Sequence, residues 1–406
     1  MTAPAAFDWG LLEPLGGAAA AASDDAVLAA LVDVERALVL GWGDVSERSD
    51  TADDADDAAR AESGGVADVL RVDALDADAL LAGAREGGLP VIPLVTQLRA
   101  QADDAHPGSG WRVHDGATSQ DILDSALVLV AKRVLDAVRG RLVAAGESLA
   151  GLAEAERSTV SIARTLGQHA EATTVGAQLA SWLDAVTSAI EVVQAAPFPV
   201  QLGGAVGTGL AFDERQPGVT TRLRAATAAQ LGLDDPGRAW HTDRTPVLAL
   251  GNAAAAVVAV CARIGRDVAF LARSEIGELA VARAGGSSAM PHKRNPVDAV
   301  LLTANGLRAA GLVATLHTAA VSQDARPAGE WHAEWQAFRS LLRLAAESTD
   351  AAADLIAGLT VEHDAIERTL GLSHELVRDR DVVVAAAVAV VDAAVARFHA
   401  TTEAAR

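Results

Sequence analysis

Residues 247–271 read VLALGNAAAAVVAVCARIGRDVAFL. Within them Val247, Leu250, Ala254, Val257, Cys261, Ile264, Val268 and Leu271 step by three and four without a break. At 3.6 residues per turn this spacing lines one helix face, and sustained over such a length it marks a helix in a bundle seam. The small side chains of Ala254 and Cys261 leave room for a close neighbour. The same period runs through Leu123, Leu127, Val130, Val134 and Val138, and through Val175, Leu179, Trp182, Val186, Ile190 and Val193. No series of alternating apolar and polar runs joined by hairpin turns competes with it. The sequence therefore predicts an all-α chain with long helices over 118–152, 172–196, 244–283, 296–322 and 329–358. These exceed the globular mean of about 11–12 residues, which implies a long bundle.

On either side of the bundle the pattern is weaker. Residues 1–112 read as shorter helices split by Gly and Asp clusters, with 45–65 as a polar loop or exposed helix; residues 359–406 read as a short helical tail. The 406 residues, 50% of them hydrophobic, suffice for a sizeable core and are too apolar for a disordered acidic chain. Lys and Arg total 33 against 54 Asp and Glu, a net charge of −21. That balance argues against nucleic acid or an anionic membrane as partner, since both attract basic surfaces. A single cysteine, Cys261, leaves no internal disulfide framework, and the ten histidines show no ligand spacing, so no metal or other cofactor is expected. Met1–Pro14 carries Asp8 and Glu13 but no Lys or Arg, unlike a secretory signal. No uninterrupted apolar run near ~18 residues suggests a membrane span. The expectation is a cytoplasmic protein.

Residues 285–297 read GGSSAMPHKRNPV. Lys132 and Lys293 are the only lysines, Met290 is the only methionine besides Met1, and tyrosine is absent. In a chain drifted toward Ala, Val and Arg, two rare residue types fall within this loop. Gly285 and Gly286 permit close approach, Ser287 and Ser288 offer hydroxyls, and Lys293 and Arg294 add charge. Asn295 reads as an N-cap and Pro296 as the first helical residue. A helix N-terminus beside cations suits a carboxylate ligand.

Other breaks between helices are also polar. Residues 114–121 read HDGATSQD, in which Thr118 and Asp121 serve equally well as a helix cap. Arg164, Gln168, His169, Thr173 and Thr174 cluster in the next break, and Trp240-His-Thr-Asp-Arg244 precedes the heptad helix. Gly203, Gly204 and Gly207 lack the pattern of a nucleotide-binding loop.

Together these breaks resemble the fumarase/aspartase superfamily, with 285–296 similar to its Gly-Ser-Ser-x-Met-Pro-x-Lys-x-Asn-Pro signature. The resemblance implies three all-α domains, here 1–112, 113–358 and 359–406. It also implies a central bundle of five long helices, a homotetramer with a 20-helix core, and active sites built by three subunits. Val91–Val95, Trp240–Arg244, Ser274–Glu278 and Gly329–Trp335 resemble the 3-carboxy-cis,cis-muconate cycloisomerase branch. The activity so implied is lactonisation of that tricarboxylate to 4-carboxymuconolactone in protocatechuate catabolism. Adenylosuccinate lyase and a non-catalytic structural descendant are the alternatives. By the same resemblance Ser287 carries the proton, with His114 and His169 as further acid/base groups. Thr118, Ser119, Gln168, Arg244, Lys293 and Asn295 would hold carboxylates. Adenylosuccinate lyases read Arg-Thr-His where this chain reads Arg164-Thr165-Leu166. The tail is also shorter than the family's usual one.

Overall fold

The computed structural model describes residues 20–45, 53–286, 290, 293–377 and 379–403, without the side chains of 53–57. The first helices are α1 (Asp24–Val45), α2 (Asp53–Val69), α3 (Ala77–Gly87) and α4 (Val91–Ala105). α5 (Ser119–Ala155) then runs for 37 residues. A hairpin of β1 (Val160–Thr165) and β2 (Gln168–Thr174) leads into α6 (Val175–Gln194). After α7 (Leu210–Arg215) and α8 (Val219–Leu231) comes α9 (Thr245–Leu271), then β3 (Leu279–Val281) and α10 (Val297–Ala319). The chain closes with α11 (Glu330–Ala357), β4 (Leu359–Val361), α12 (His363–Leu372) and α13 (Arg380–Glu403). The fold is all-α, and the two small sheets are each two-stranded and antiparallel.

The five long helices α5, α6, α9, α10 and α11 lie where the sequence places long helices, and the quoted 3-4 periods fall on α5, α6 and α9. On α9 the heptad side chains from Val247 to Val268 are buried. α10 packs antiparallel against it, with Gly265 beside Ala299 and Gly251 beside Leu316. A Cβ on Gly265 would stand 2.7 Å from the Ala299 carbonyl oxygen. Glycines therefore permit close approach of these two helices. Each helical glycine costs about 1 kcal/mol in propensity, against about 1.5–3 kcal/mol gained per buried Val or Leu. Packing decides.

Three differences from the sequence reading have local causes. The helix expected to reach residue 283 stops at Leu271: Arg273 donates to the Phe270 carbonyl, three residues back rather than four, and the chain turns at Gly277, which has φ 64 and donates to the Arg273 carbonyl. Leu279–Val281 then pairs with Leu359–Val361. The break at 163–174 is a hairpin whose Leu166 and Gly167 both have positive φ, 52° and 80°. Two-residue hairpin loops favour such a pair, but Leu is an unusual occupant and concealed the turn. Finally, α9, α10 and α13 are each long and apolar enough to cross a membrane by length and composition. Residues 245–262 carry no charge at all. In α9 56% of the apolar window is buried inside the protein, against 28% in α10 and 22% in α13. Val300 and Leu307 on α10, and Val382 and Val390 on α13, are left exposed.

Candidate active site

At one end of the bundle the N-terminus of α5 meets that of α9. The segment before α5 turns at His114 (φ 64) and Gly116 (φ 75). His114 Nδ1 lies 2.7 Å from Glu35 Oε1 of α1. Burial opposes charge on this imidazole, but the Glu35 carboxylate outweighs it and raises the pKa. The Thr118 amide donates to Asp121 Oδ2 at 3.1 Å, closing the first turn of α5. Asp121 also accepts from the amides of Gly203 and Gly204, both at 2.9 Å, and from Gln201 Nε2 at 3.0 Å. Burial pushes its carboxyl up to about 6 despite these donors. The glycine-rich turn is therefore a clip onto α5.

Beneath this layer lies a buried charge cluster. Arg244 Nη1 and Nη2 donate to the two oxygens of Asp124 at 2.7 and 3.1 Å, and its Nε donates to Glu334 at 3.1 Å. Nη1 also donates to the His241 carbonyl at 3.0 Å. Trp331 Nε1 and Gln120 Nε2 add further donors to Asp124. Sequence reasoning put Arg244 on a substrate carboxylate; the structure gives its fork to two protein carboxylates. Burial drives the Glu334 carboxyl up to about 7, with Arg244 opposing the shift and Asp124 adding to it.

Facing this cluster is Arg326, from the loop before α11. Its Nη2 donates to Thr118 Oγ1 at 2.9 Å and its Nε to Gln120 Oε1 at 3.3 Å. Among the described residues neither ring nitrogen of the buried His241 has a hydrogen-bond partner of good geometry, although the Ala325 backbone lies near enough to oppose the shift of its pKa. Burial, and then the charge of Arg326, lower its pKa and favour the neutral ring. Arg326, His241, the Thr118 hydroxyl and the α5 N-terminus, with Ser119 as its first residue, thus converge. Donors and a helix dipole so placed suit an anion. Sequence reasoning missed Arg326, although it lies just ahead of the Gly329–Trp335 segment.

The other expected residues lie elsewhere. Arg164 pairs with Glu278 through two hydrogen bonds, and Thr369 Oγ1 donates to the same carboxylate at 2.8 Å. Gln168 and His169 are exposed on β2, with His169 Nδ1 2.5 Å from Ser373 Oγ. Leu166 at the tip is fully exposed. In the 285–297 loop, Gly285 and Asn295 exchange backbone hydrogen bonds at 2.8 and 2.9 Å, and Asn295 Nδ2 donates to the Gly286 carbonyl. Asn295 is therefore used inside the loop, and Pro296 rather than Asn295 is the N-cap of α10. Lys293 is exposed. Ser287 lies outside the described residues. Among the described residues no cluster of three or more His, Cys, Asp or Glu could hold a metal ion.

These two sets of residues occupy opposite ends of the bundle. Thr118 precedes α5, whereas the hairpin follows its far end. Arg244 starts α9, whereas Glu278 and the 285–297 loop follow its C-terminus. The 27 residues of α9 at 1.5 Å each separate the ends by about 40 Å. His114, Thr118, Ser119 and Arg244 are brought together in one chain; Gln168, His169, Lys293 and Asn295 are not brought to them.

Comparison with known proteins agrees with this architecture. Residues 90–311 match the family model described as Lyase. The chain is 39% identical to nitrosuccinate lyase of Streptomyces davaonensis, over 91% of this chain and 78% of that protein. It is 38% identical to 3-carboxy-cis,cis-muconate cycloisomerase of Pseudomonas aeruginosa, over 78% of this chain and 70% of that one. The crystal structure of 3-carboxy-cis,cis-muconate lactonizing enzyme from Pseudomonas putida superposes with a TM-score of 0.82 at 26% identity, covering 94% of this chain and 96% of that one. With the family model spanning more than half the sequence and the long-helix bundle in place, this chain belongs to the Lyase family and is an enzyme of the fumarase/aspartase superfamily.

Proposed function

We propose that the enzyme lactonises 3-carboxy-cis,cis-muconate to 4-carboxymuconolactone. One substrate carboxylate oxygen forms a C–O bond to the diene, the displaced electron pair spreads onto a conjugated carboxylate, and the α-carbon takes one proton. Atoms and charge balance with no oxidant or reductant. Ser287 delivers the proton, with His114 and His169 as further acid/base groups. Arg326, Thr118, Ser119 and His241 hold carboxylates at one end; Gln168, Lys293 and Asn295 serve at the other. Donors aimed at developing negative charge supply the largest effect in such reactions.

The observation that carries this reading is Leu166. An amine or alkoxide leaving group needs an acid beside it, and here the hairpin tip is an exposed hydrocarbon. A carboxylate nucleophile, with pKa near ~4, is already ionised and needs neither base nor acid. A second reading shares this logic and is favoured by the 91% coverage of the nitrosuccinate lyase match. Nitrite, the anion of an acid of carboxylic strength, also departs without protonation.

Because the two sets of residues stand about 40 Å apart, we propose that a site is completed by copies of the chain. These would form a cytoplasmic homotetramer with a 20-helix core and domains at 1–112, 113–358 and 359–406. The exposed valines and leucines of α10 and α13 are surfaces for such contacts. The test measures, in parallel, loss of 3-carboxy-cis,cis-muconate absorbance, nitrite release from nitrosuccinate, and adenylosuccinate cleavage. Lactonisation is expected. Nitrite release alone assigns the second reading, and adenylosuccinate cleavage at ~1 s⁻¹ or more overturns both.

A further inference from the structure

A cavity of about 210 Å3 lies between α1, α2, α7 and the 110–116 segment. Its flat walls are Trp42 and Trp111. Two buried donors there lack partners among the described residues: Ser63 Oγ, on a residue only 1% exposed, and Arg112 Nε. The outer face of Arg112 is spoken for, since its Nη2 pairs with Glu62 at 2.6 Å. Arg112 and Arg215 both lie over the Trp111 ring, at 4.7 and 5.7 Å from its centre. Arg215 in turn pairs with Asp115 at 2.8 Å.

An unmet buried donor costs about 1–3 kcal/mol, more when it is charged. Two such donors on residues that line one cavity, one of them on a guanidinium, call for anionic acceptor oxygens. The aromatic walls call for a flat, conjugated body. Ligand cavities of drug size span roughly 300–1,000 Å3, so the smaller space here restricts the occupant to one ring. We propose that this cavity binds a small single-ring aromatic carboxylate of the benzoate class, its carboxylate accepting from Arg112 Nε and Ser63 Oγ. The site is separate from the anion cluster at Thr118 and Arg326. It adjoins that end at Asp115, whose backbone carbonyl accepts from Trp42 Nε1 at 3.2 Å and whose chain neighbour is His114.

The test titrates the full-length protein with benzoate, following tryptophan fluorescence and calorimetry, beside Ser63→Ala, Arg112→Gln and Thr118→Val variants. Saturable binding is expected, weakened about tenfold by each of the first two changes, as loss of one charge-assisted bond implies. It should be unaltered in Thr118→Val. No saturation by 10 mM benzoate, on the order of the weakest specific affinities, overturns the proposal. So does binding indifferent to Ser63→Ala and Arg112→Gln. Binding lost only in Thr118→Val would place benzoate at the anion cluster and equally overturn it.

Discussion

Arg326 Nη2 donates to Thr118 Oγ1 at 2.9 Å, joining the loop before α11 to the N-terminus of α5. A guanidinium held by a neutral hydroxyl keeps its charge available to a ligand, unlike Arg244, whose charge is spent on Asp124 and Glu334. The two arginines should therefore answer differently to replacement.

Arg326→Met should leave the protein folded and raise KM for the tricarboxylate. A hydrogen bond to a charged group is worth about 1.5–3 kcal/mol, so kcat/KM should fall by roughly 10- to 200-fold. Steady-state kinetics with a thermal melt checks both halves. A wild-type KM would remove Arg326 from the site.

Arg244→Met should instead unfold the protein more easily. It strands two buried carboxylates, at a cost of about 3–5 kcal/mol. Urea denaturation reads the shift. An unchanged midpoint with a large KM effect would restore Arg244 to substrate binding.

Glu334 gives the fold a pH signature. Its folded pKa, raised to about 7 by burial from the usual 4.5, means the native state holds this proton longer than the unfolded chain. Stability from this group is complete below about 4.5 and is lost as pH rises through about 7. Unfolding free energy measured across that window should fall with pH, and Glu334→Gln should flatten the fall. A slope unchanged by that substitution would refute the assignment.

Leu166→His is a test of chemistry without a stability cost. The side chain is fully exposed at φ 52, where His is better tolerated than Leu. Melting temperature should hold or rise slightly, while lactonisation drops because a hydrated, titratable group replaces hydrocarbon at the shared site. Undiminished activity would detach the hairpin tip from the reaction.

Ser287→Ala should abolish turnover with the oligomer intact. Mixed tetramers of Arg326→Met and His169→Gln chains, each impaired alone, should recover part of the lost activity, because the two changes lie at opposite bundle ends. Failure of that complementation, or a stable active monomer in light scattering, would sink the shared-site arrangement.

What the sequence by itself determined is local and periodic. The 3-4 spacing of apolar residues places three of the five long helices, α5, α6 and α9, since a helix buries its own face wherever that pattern persists. The signature loop stands out because rare residues sit in it. The hairpin escaped because its turn is carried by Leu166-Gly167, a pair without a turn residue's usual marking at the first position. Only the tertiary structure decided which polar residues share a place. Arg244 finds Asp124 across 120 residues and Glu334 across 90, and Arg326 finds Thr118 across 208. No local pattern distinguishes an arginine bound for a buried carboxylate from one left to meet a ligand. That difference is set by which helix ends the bundle brings together, and by the roughly 40 Å it keeps between the others.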